Sequence, residues 1–195
     1  IAFALLTGNT VVLKPSPFTP LTTLRMGEIF REIFPPGVLN VVSGGDELGA
    51  WMTRHPLVRM ITFTGSIETG KKIAASAAPD LKHYVLELGG NDPAIVMGDV
   101  DPSKIAENLF WSAFLNTGQI CVAIKRLYVH QSIYPQMVKK LVEIARSVRV
   151  GDGLDPQTQL GPLSNRVQLG RVIELVEDAV RAGGKVEIGG ERQPR

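Results

Sequence analysis

The chain has 195 residues, of which 44% are hydrophobic and 21% charged, with a formal net charge of +2. That composition supports a packed core and excludes a disordered segment. The basic residues are scattered, leaving no electrostatic footprint for nucleic acid, and Lys139-Lys140 reads as the solvated face of a helix. A single cysteine excludes an intramolecular disulfide, and His55, His83 and His130 are too widely spaced for a metal-ligand pattern, so we expect a reducing, cytoplasmic compartment and no metal. The longest apolar run, Ile1 to Leu6, is too short to span a bilayer and has no basic residues before it, so no membrane partner is expected. The chain opens without Met, inside what reads as the second half of a helix, and is expected to be an excerpt of a longer protein.

Gly8-Asn9 closes the first helix, and the β-branched run Thr10-Val11-Val12-Leu13 suits a buried parallel strand that delivers Lys14 at its carboxyl end. In an open parallel sheet that end is where ligands bind; the alternative is a surface lysine entering a proline-rich loop. Pro20 is expected at the first position of a helix with Leu21, Leu24, Ile29 and Phe30 on its apolar side, stopped by Pro35-Pro36-Gly37. A second strand, Val38 to Val42, runs through Ser43-Gly44-Gly45 into a third helix ending at His55-Pro56. The third strand, Val58 to Phe63, enters Thr64-Gly65-Ser66 and a helix to about Ala78. Here Gly65 permits close backbone approach, Ser66 can cap the helix, and the helix N-terminus favours an anion: either a pyrophosphate site or an ordinary capped helix. The fourth strand, Lys82 to Leu86, leads to Glu87-Leu88-Gly89-Gly90-Asn91. Glu87 lies about twenty residues beyond Gly65, where a dinucleotide fingerprint places a ribose-binding acid, and it equally suits a catalytic base.

Asp92 to Met97 begins a further strand–helix unit, with Asp101-Pro102 opening the helix. That helix breaks at Asn116-Thr117-Gly118, which puts Cys121 in the turn beyond its end, as a small buried hydrophobe or as a nucleophile. Arg126 to His130 reads as a strand, and Tyr134 to Val148 as an amphipathic helix with Met137, Leu141, Ile144, Ala145 and Val148 inward. A turn-rich loop, Gly151 to Pro162, precedes a helix from Val167 to Ala182, capped by Gly183-Gly184, and a short strand from Lys185 to Gly190.

A strand-end lysine, a Gly-Ser helix start, a Glu-Leu-Gly-Gly turn and a Gly-Gln-Ile-Cys turn together resemble the aldehyde dehydrogenase superfamily. The matching stretches are Gly8 to Pro15, Phe63 to Ser66, Leu86 to Pro93 and Asn116 to Cys121, in that order over the whole length. The resemblance implies an α/β fold: a partial Rossmann-like NAD(P)-binding domain with a parallel sheet over residues 1–86, then a partial α/β catalytic domain over residues 87–195. It implies NAD- or NADP-dependent oxidation of an aldehyde to a carboxylic acid. In that chemistry Cys121 attacks the carbonyl and Glu87 activates the water that hydrolyses the thioacyl enzyme, while Lys14, Gly65, Ser66 and Leu88 bind the cofactor.

Two departures from the pattern matter. Pro17 stands where many NAD-preferring relatives have a ribose-gripping glutamate, which removes a barrier to NADP. The family's oxyanion-hole asparagine and its nicotinamide-ribose glutamate are expected outside the stretch, leaving the backbone N–H of Cys121 as one oxyanion donor and the segment by itself nearly inactive. The full-length protein is expected to be a homodimer or homotetramer, although the oligomerisation strands are not in this stretch. Rival readings are a coenzyme A-acylating relative, against which Glu87 argues, and a non-catalytic structural relative. Trp111 and Phe114 are either aldehyde-tunnel wall or core packing.

Overall fold

A computed structural model describes residues 1–192. The chain forms two compact units, Ile1–Leu88 and Gly89–Arg195. Among the described residues every strand pairing is parallel, and each pair is joined through a helix, so the architecture is α/β, built there from three βαβ units.

The first unit begins with a short helix, α1 (Ala2–Leu6), which ends because Gly8 takes a left-handed φ of 81° and Asn9 Nδ2 donates to the Ala4 carbonyl at 3.2 Å. Strand β1 (Val11–Leu13) pairs with β2 (Leu39–Val41) across helix α2 (Leu21–Phe30). Pro20 is the N-cap of α2 rather than its first helical residue, one step earlier than its ring would predict. The helix approaches the strand through Gly27, where an added Cβ would lie 2.7 Å from Val41 Cγ2. The expected apolar side is split: Leu24 and Phe30 are half-buried, whereas Leu21 and Ile29 are exposed among the described residues.

Helix α3 (Asp46–Arg54) has Asp46 and Glu47 in its first turn and Arg54 in its last, matching the helix dipole. Strand β3 (Met60–Thr64) then pairs in register with β4 (His83–Glu87) around helix α4 (Ile67–Ala77). The core of this unit is Ile61, Ile73 and Ala77, with Val58, Phe63 and Leu86 against it. Lys82 is buried, yet its ammonium donates to the carbonyls of Thr53 and His55 at 2.9 and 2.8 Å and stands 3.4 Å from Asp80. It satisfies the C-terminal carbonyls of α3 and ties that helix to the start of β4.

In the second unit, β5 (Asp92–Val96) pairs with β6 (Ile124–Val129) around helix α5 (Pro102–Phe114). The register slips between Asp92 and Pro93, where proline has no N–H to offer the ladder. Helix α6 (Tyr134–Ser147) buries Met137 completely against Val96, Ala106 and Ile133, with Leu141 and Ile144 packed alongside, as its apolar periodicity predicts. Burying a side chain of that size contributes about 1.5–3 kcal/mol. Helix α7 (Arg166–Arg181) closes with Gly183 at φ 93°, and the Gly184 N–H returns to the Ala179 carbonyl at 2.8 Å. The strand expected from Lys185 to Gly190 is not formed; a strand needs a paired ladder, and among the described residues none runs beside it. No helix among the described residues is long and apolar enough to cross a membrane.

Candidate active site

The cysteine turn is built from the end of α5. Asp101 caps that helix, its Oδ1 accepting from the Ser103 N–H at 2.9 Å and the Ser103 hydroxyl at 2.7 Å, with Pro102 at the first helical position. These bonds, the hydroxyl's first, hold the Asp101 carboxyl below the usual aspartate value. After Phe114 the chain tightens into a 3-10 turn, Leu115–Gly118, in which Asn116, Thr117 and Gly118 are all left-handed, with φ of 52°, 59° and 73°. Glycine takes this conformation freely, but a β-branched threonine does not. Such a residue costs on the order of 1–3 kcal/mol and persists only where its surroundings enforce it.

The surroundings are visible. The Thr117 hydroxyl donates to the Gly161 carbonyl at 2.9 Å. The Gln119 amide donates to the Asn116 carbonyl at 3.0 Å and accepts from the Ser164 N–H at 2.8 Å. Gly161, at the end of the turn-rich loop predicted from Gly151 to Pro162, and Ser164 just beyond it thus hold the turn before Cys121.

Cys121, the one thiol in the chain, is exposed at the end of this turn. Its neighbour Ala123 is buried and anchors the start of β6. The Lys125 ammonium donates to three carbonyls of this turn, those of Ile120, Cys121 and Ala123, at 2.9, 2.7 and 2.9 Å. Arg126 donates twice to the Asn91 carbonyl, at 3.0 and 2.6 Å, bringing the Gly89-Gly90-Asn91 loop to the base of the same strand. A Cβ on Gly90 would lie 2.6 Å from the Cys121 carbonyl oxygen. None of Thr117, Gln119, Lys125 or Arg126 stood out in the sequence as a support of the turn. Their partners are backbone carbonyls and N–H groups, which carry no sequence signal.

The remaining candidates lie in the first unit. Lys14 leaves β1 and donates to the carbonyls of Pro15 and Gly44 at 3.0 and 3.2 Å, which occupies two of its three N–H groups. Beyond it Pro17 is exposed in a turn whose Thr19 N–H returns to the Ser16 carbonyl at 3.3 Å. Gly65 and Glu87 are brought together at the end of the β3–β4 pair, the Gly65 N–H donating to the Glu87 carbonyl at 3.0 Å. A Cβ on Gly65 would overlap the Phe63 ring. Ser66 caps α4, its Oγ accepting from the Thr69 N–H at 3.2 Å. Leu88 packs over Gly70 of α4, where a Cβ would come within 2.8 Å of Leu88 Cδ2. The Glu87 side chain is exposed and takes no hydrogen bond among the described residues. Lys14 sits on the β1–β2 pair, which shares no hydrogen-bonded ladder with β3–β4. In α5, Phe110 is buried and stacks on Phe114 at 4.8 Å and meets Trp111 edge-on at 5.3 Å, leaving Trp111 half-buried and Phe114 exposed. The described residues contain no cluster of His, Cys, Asp and Glu that could hold a metal ion.

Along its whole length the chain resembles known proteins. The profile described as the aldehyde dehydrogenase family matches residues 1–195. A probable aldehyde dehydrogenase of a Pseudomonas species is 50% identical over 167 residues, covering 85% of this chain and 34% of that protein. The phenylacetaldehyde dehydrogenase of Pseudomonas fluorescens is 42% identical over 196 residues, covering 100% of this chain and 39% of the relative. Among solved structures, betaine aldehyde dehydrogenase from Staphylococcus aureus in complex with NAD+ superposes with a TM-score of 0.94 at 34% identity, covering 98% of this chain and 39% of that one. The chain thus spans between a third and two fifths of the length of these relatives. With the profile matched end to end and the βαβ units reproduced, the chain belongs to the aldehyde dehydrogenase family.

Proposed function

We propose that the full-length enzyme carrying this stretch oxidises an aldehyde to a carboxylic acid with NAD or NADP, through a thioester-like intermediate on Cys121. The observation that carries the proposal is the turn itself: a strained, left-handed, side-chain-clamped segment presents the one thiol of the chain to solvent. Strain of this kind, held by surrounding bonds, is what positions a nucleophile rather than fills a core.

In this reading the Cys121 thiolate adds to the aldehyde carbonyl, giving a thiohemiacetal whose oxygen carries the developing negative charge. The backbone N–H of Cys121 donates to that oxygen. A nicotinamide held by the first unit would supply the acceptor for the hydride of the former aldehyde carbon, leaving Cys121 joined to an acyl group. Glu87 takes a proton from water, the resulting hydroxide attacks the thioacyl carbon, and the carbon–sulfur bond breaks to return the thiolate and release the carboxylic acid.

The residues of the first unit suit a dinucleotide. Gly65 leaves no side chain at the β3–α4 turn, Ser66 presents a hydroxyl there, and the leading N–H groups of α4 have no intrahelical acceptor, which together favour a pyrophosphate. Lys14 keeps one N–H for a ribose hydroxyl, and Leu88, after β4, completes the set. On this reading residues 1–86 belong to the cofactor domain and residues 87–195 to the catalytic one. Trp111 and Phe114 are the aromatic candidates for the substrate passage. The full-length enzyme is assigned to the cytoplasm as a homodimer or homotetramer.

The test is product analysis of the full-length enzyme with a small aldehyde and NAD or NADP, with and without coenzyme A. Carboxylate formed at the same rate in both supports the reading. Thioester formed only with coenzyme A assigns the chain to the acylating branch, and no cofactor reduction at all removes the reading.

A further inference from the structure

The Lys125 ammonium is bonded in a way that the chemistry above leaves unexplained. An exposed lysine is ordinarily hydrated, yet here all three N–H donors converge on carbonyls of Ile120, Cys121 and Ala123, at 2.7–2.9 Å. Among the described residues no carboxylate stands within ion-pair distance of it, so its charge acts on these peptide groups without being neutralised. One of the three matters most. The Ile120 carbonyl and the Cys121 N–H belong to the same peptide unit, and resonance couples them: a cation on the oxygen draws electron density from the nitrogen and makes the N–H a stronger donor. The same Ile120 oxygen also accepts from the Ala123 N–H at 3.2 Å, so two donors polarise this one unit.

We propose that Lys125 is a positioning residue that orients and polarises the Ile120–Cys121 peptide, so that the Cys121 N–H stabilises the oxyanion formed at the thiol. The proposal rests on the assignment of Cys121 as nucleophile. Lys125 touches neither substrate nor thiol in this role; it acts through the peptide. Charge-assisted bonds are roughly twice as strong as neutral ones, and the effect is realised only when negative charge develops on the substrate oxygen. It therefore raises turnover without tightening ground-state binding.

The experiment uses the full-length enzyme and two readouts. The first is hydrolysis of p-nitrophenyl acetate, which needs the nucleophile and the oxyanion donor but no cofactor. The second is alkylation of Cys121 by iodoacetamide at its high-pH plateau, where the thiol is fully ionised and no oxyanion forms. In Lys125→Met we expect kcat and kcat/KM for the ester to fall together by about ten- to a hundredfold, with KM and the alkylation plateau within about twofold of the parent. Lys125→Arg, which keeps charged donors, should recover most of the rate. If the Met variant does not accumulate in folded form, Lys125→Gln, which keeps a donor but no charge, carries the same expectation. Ester turnover unchanged in the uncharged variant overturns the proposal. So does an alkylation plateau that falls in parallel, because Lys125 would then merely hold the thiol in place, and so does an Arg variant no faster than Met. Cys121→Ala separates the two levels: persisting turnover removes the nucleophile assignment and this proposal with it, whereas turnover that needs Cys121 but ignores Lys125 removes the proposal alone.

Discussion

The two units hold their candidate residues in different ways. In Gly89–Arg195 the cysteine turn is clamped from several sides within one unit: Gly161 and Ser164 bond to Thr117 and Gln119, Lys125 gathers three carbonyls, and Gly90 lies under the Cys121 carbonyl. In Ile1–Leu88, Lys14 and the Gly65-Ser66 pair sit on separate strand pairs, and the Glu87 side chain is free of hydrogen bonds among the described residues. The lesson is about function. If the proposed roles hold, the contrast has a functional reason: a nucleophile must be held within a fraction of an ångström, while a general base that meets a mobile water has less need of fixed partners.

Substitutions in the full-length enzyme test this contrast. Cys121→Ala should remove dehydrogenase and esterase turnover together, by at least about a thousandfold in steady-state assays; survival of either activity would take the turn out of the chemistry. Glu87→Gln keeps the size of the side chain but cannot accept a proton. Steady-state turnover should fall about a hundred- to ten-thousandfold, while a first-turnover burst of reduced cofactor persists in stopped flow. Loss of the burst along with the steady state would place Glu87 before the thioacyl stage instead.

Packing supplies the next test. Gly90→Ala brings a methyl group within 2.6 Å of the Cys121 carbonyl, whereas an added Cβ on Gly89 meets nothing within 4 Å. The first change should destabilise by about 1–3 kcal/mol and slow turnover, and Gly89→Ala should do little of either. Equal effects in denaturant titrations would mean that the turn tolerates displacement. On the cofactor side, Pro17→Glu would set a carboxylate near a ribose phosphate and should lower kcat/KM with NADP about tenfold, leaving NAD nearly unchanged. An unchanged ratio would show that position 17 does not face the ribose.

The smallest effect is one of pH. The Asp101 carboxyl, held down by the Ser103 hydroxyl and N–H, contributes stability that is fully present above its unfolded value and is lost as pH falls through the lower folded one. Asp101→Asn retains an acceptor but not this titration, so its melting temperature should decline less steeply than the parent's in that acid range. Parallel declines would dismiss the cap as a source of acid sensitivity.

Local pattern carried most of the elements. The β-branched run before Lys14, the Asp101-Pro102 start and the apolar spacing of Met137, Leu141 and Ile144 each report on a single strand or helix, and each element formed where expected, although Val12 of the strand expected to be buried is exposed. Recognition of the family came from four short motifs in order, which is also a property of the linear chain. What the chain alone did not disclose depended on partners distant along it or on the backbone. On α2 it is Gly27 that approaches Val41 while Leu21 and Ile29 are exposed among the described residues, and a helical period cannot say which part of an apolar face meets the strand. The stretch from Lys185 to Gly190 has strand composition but no ladder beside it among the described residues, and a strand exists only by pairing. The exposure of Cys121, and the bonds that tie Thr117 to Gly161, Gln119 to Ser164 and Lys125 to the carbonyls of the turn, were decided by tertiary structure, because backbone groups are the same at every position until the fold selects which of them converge.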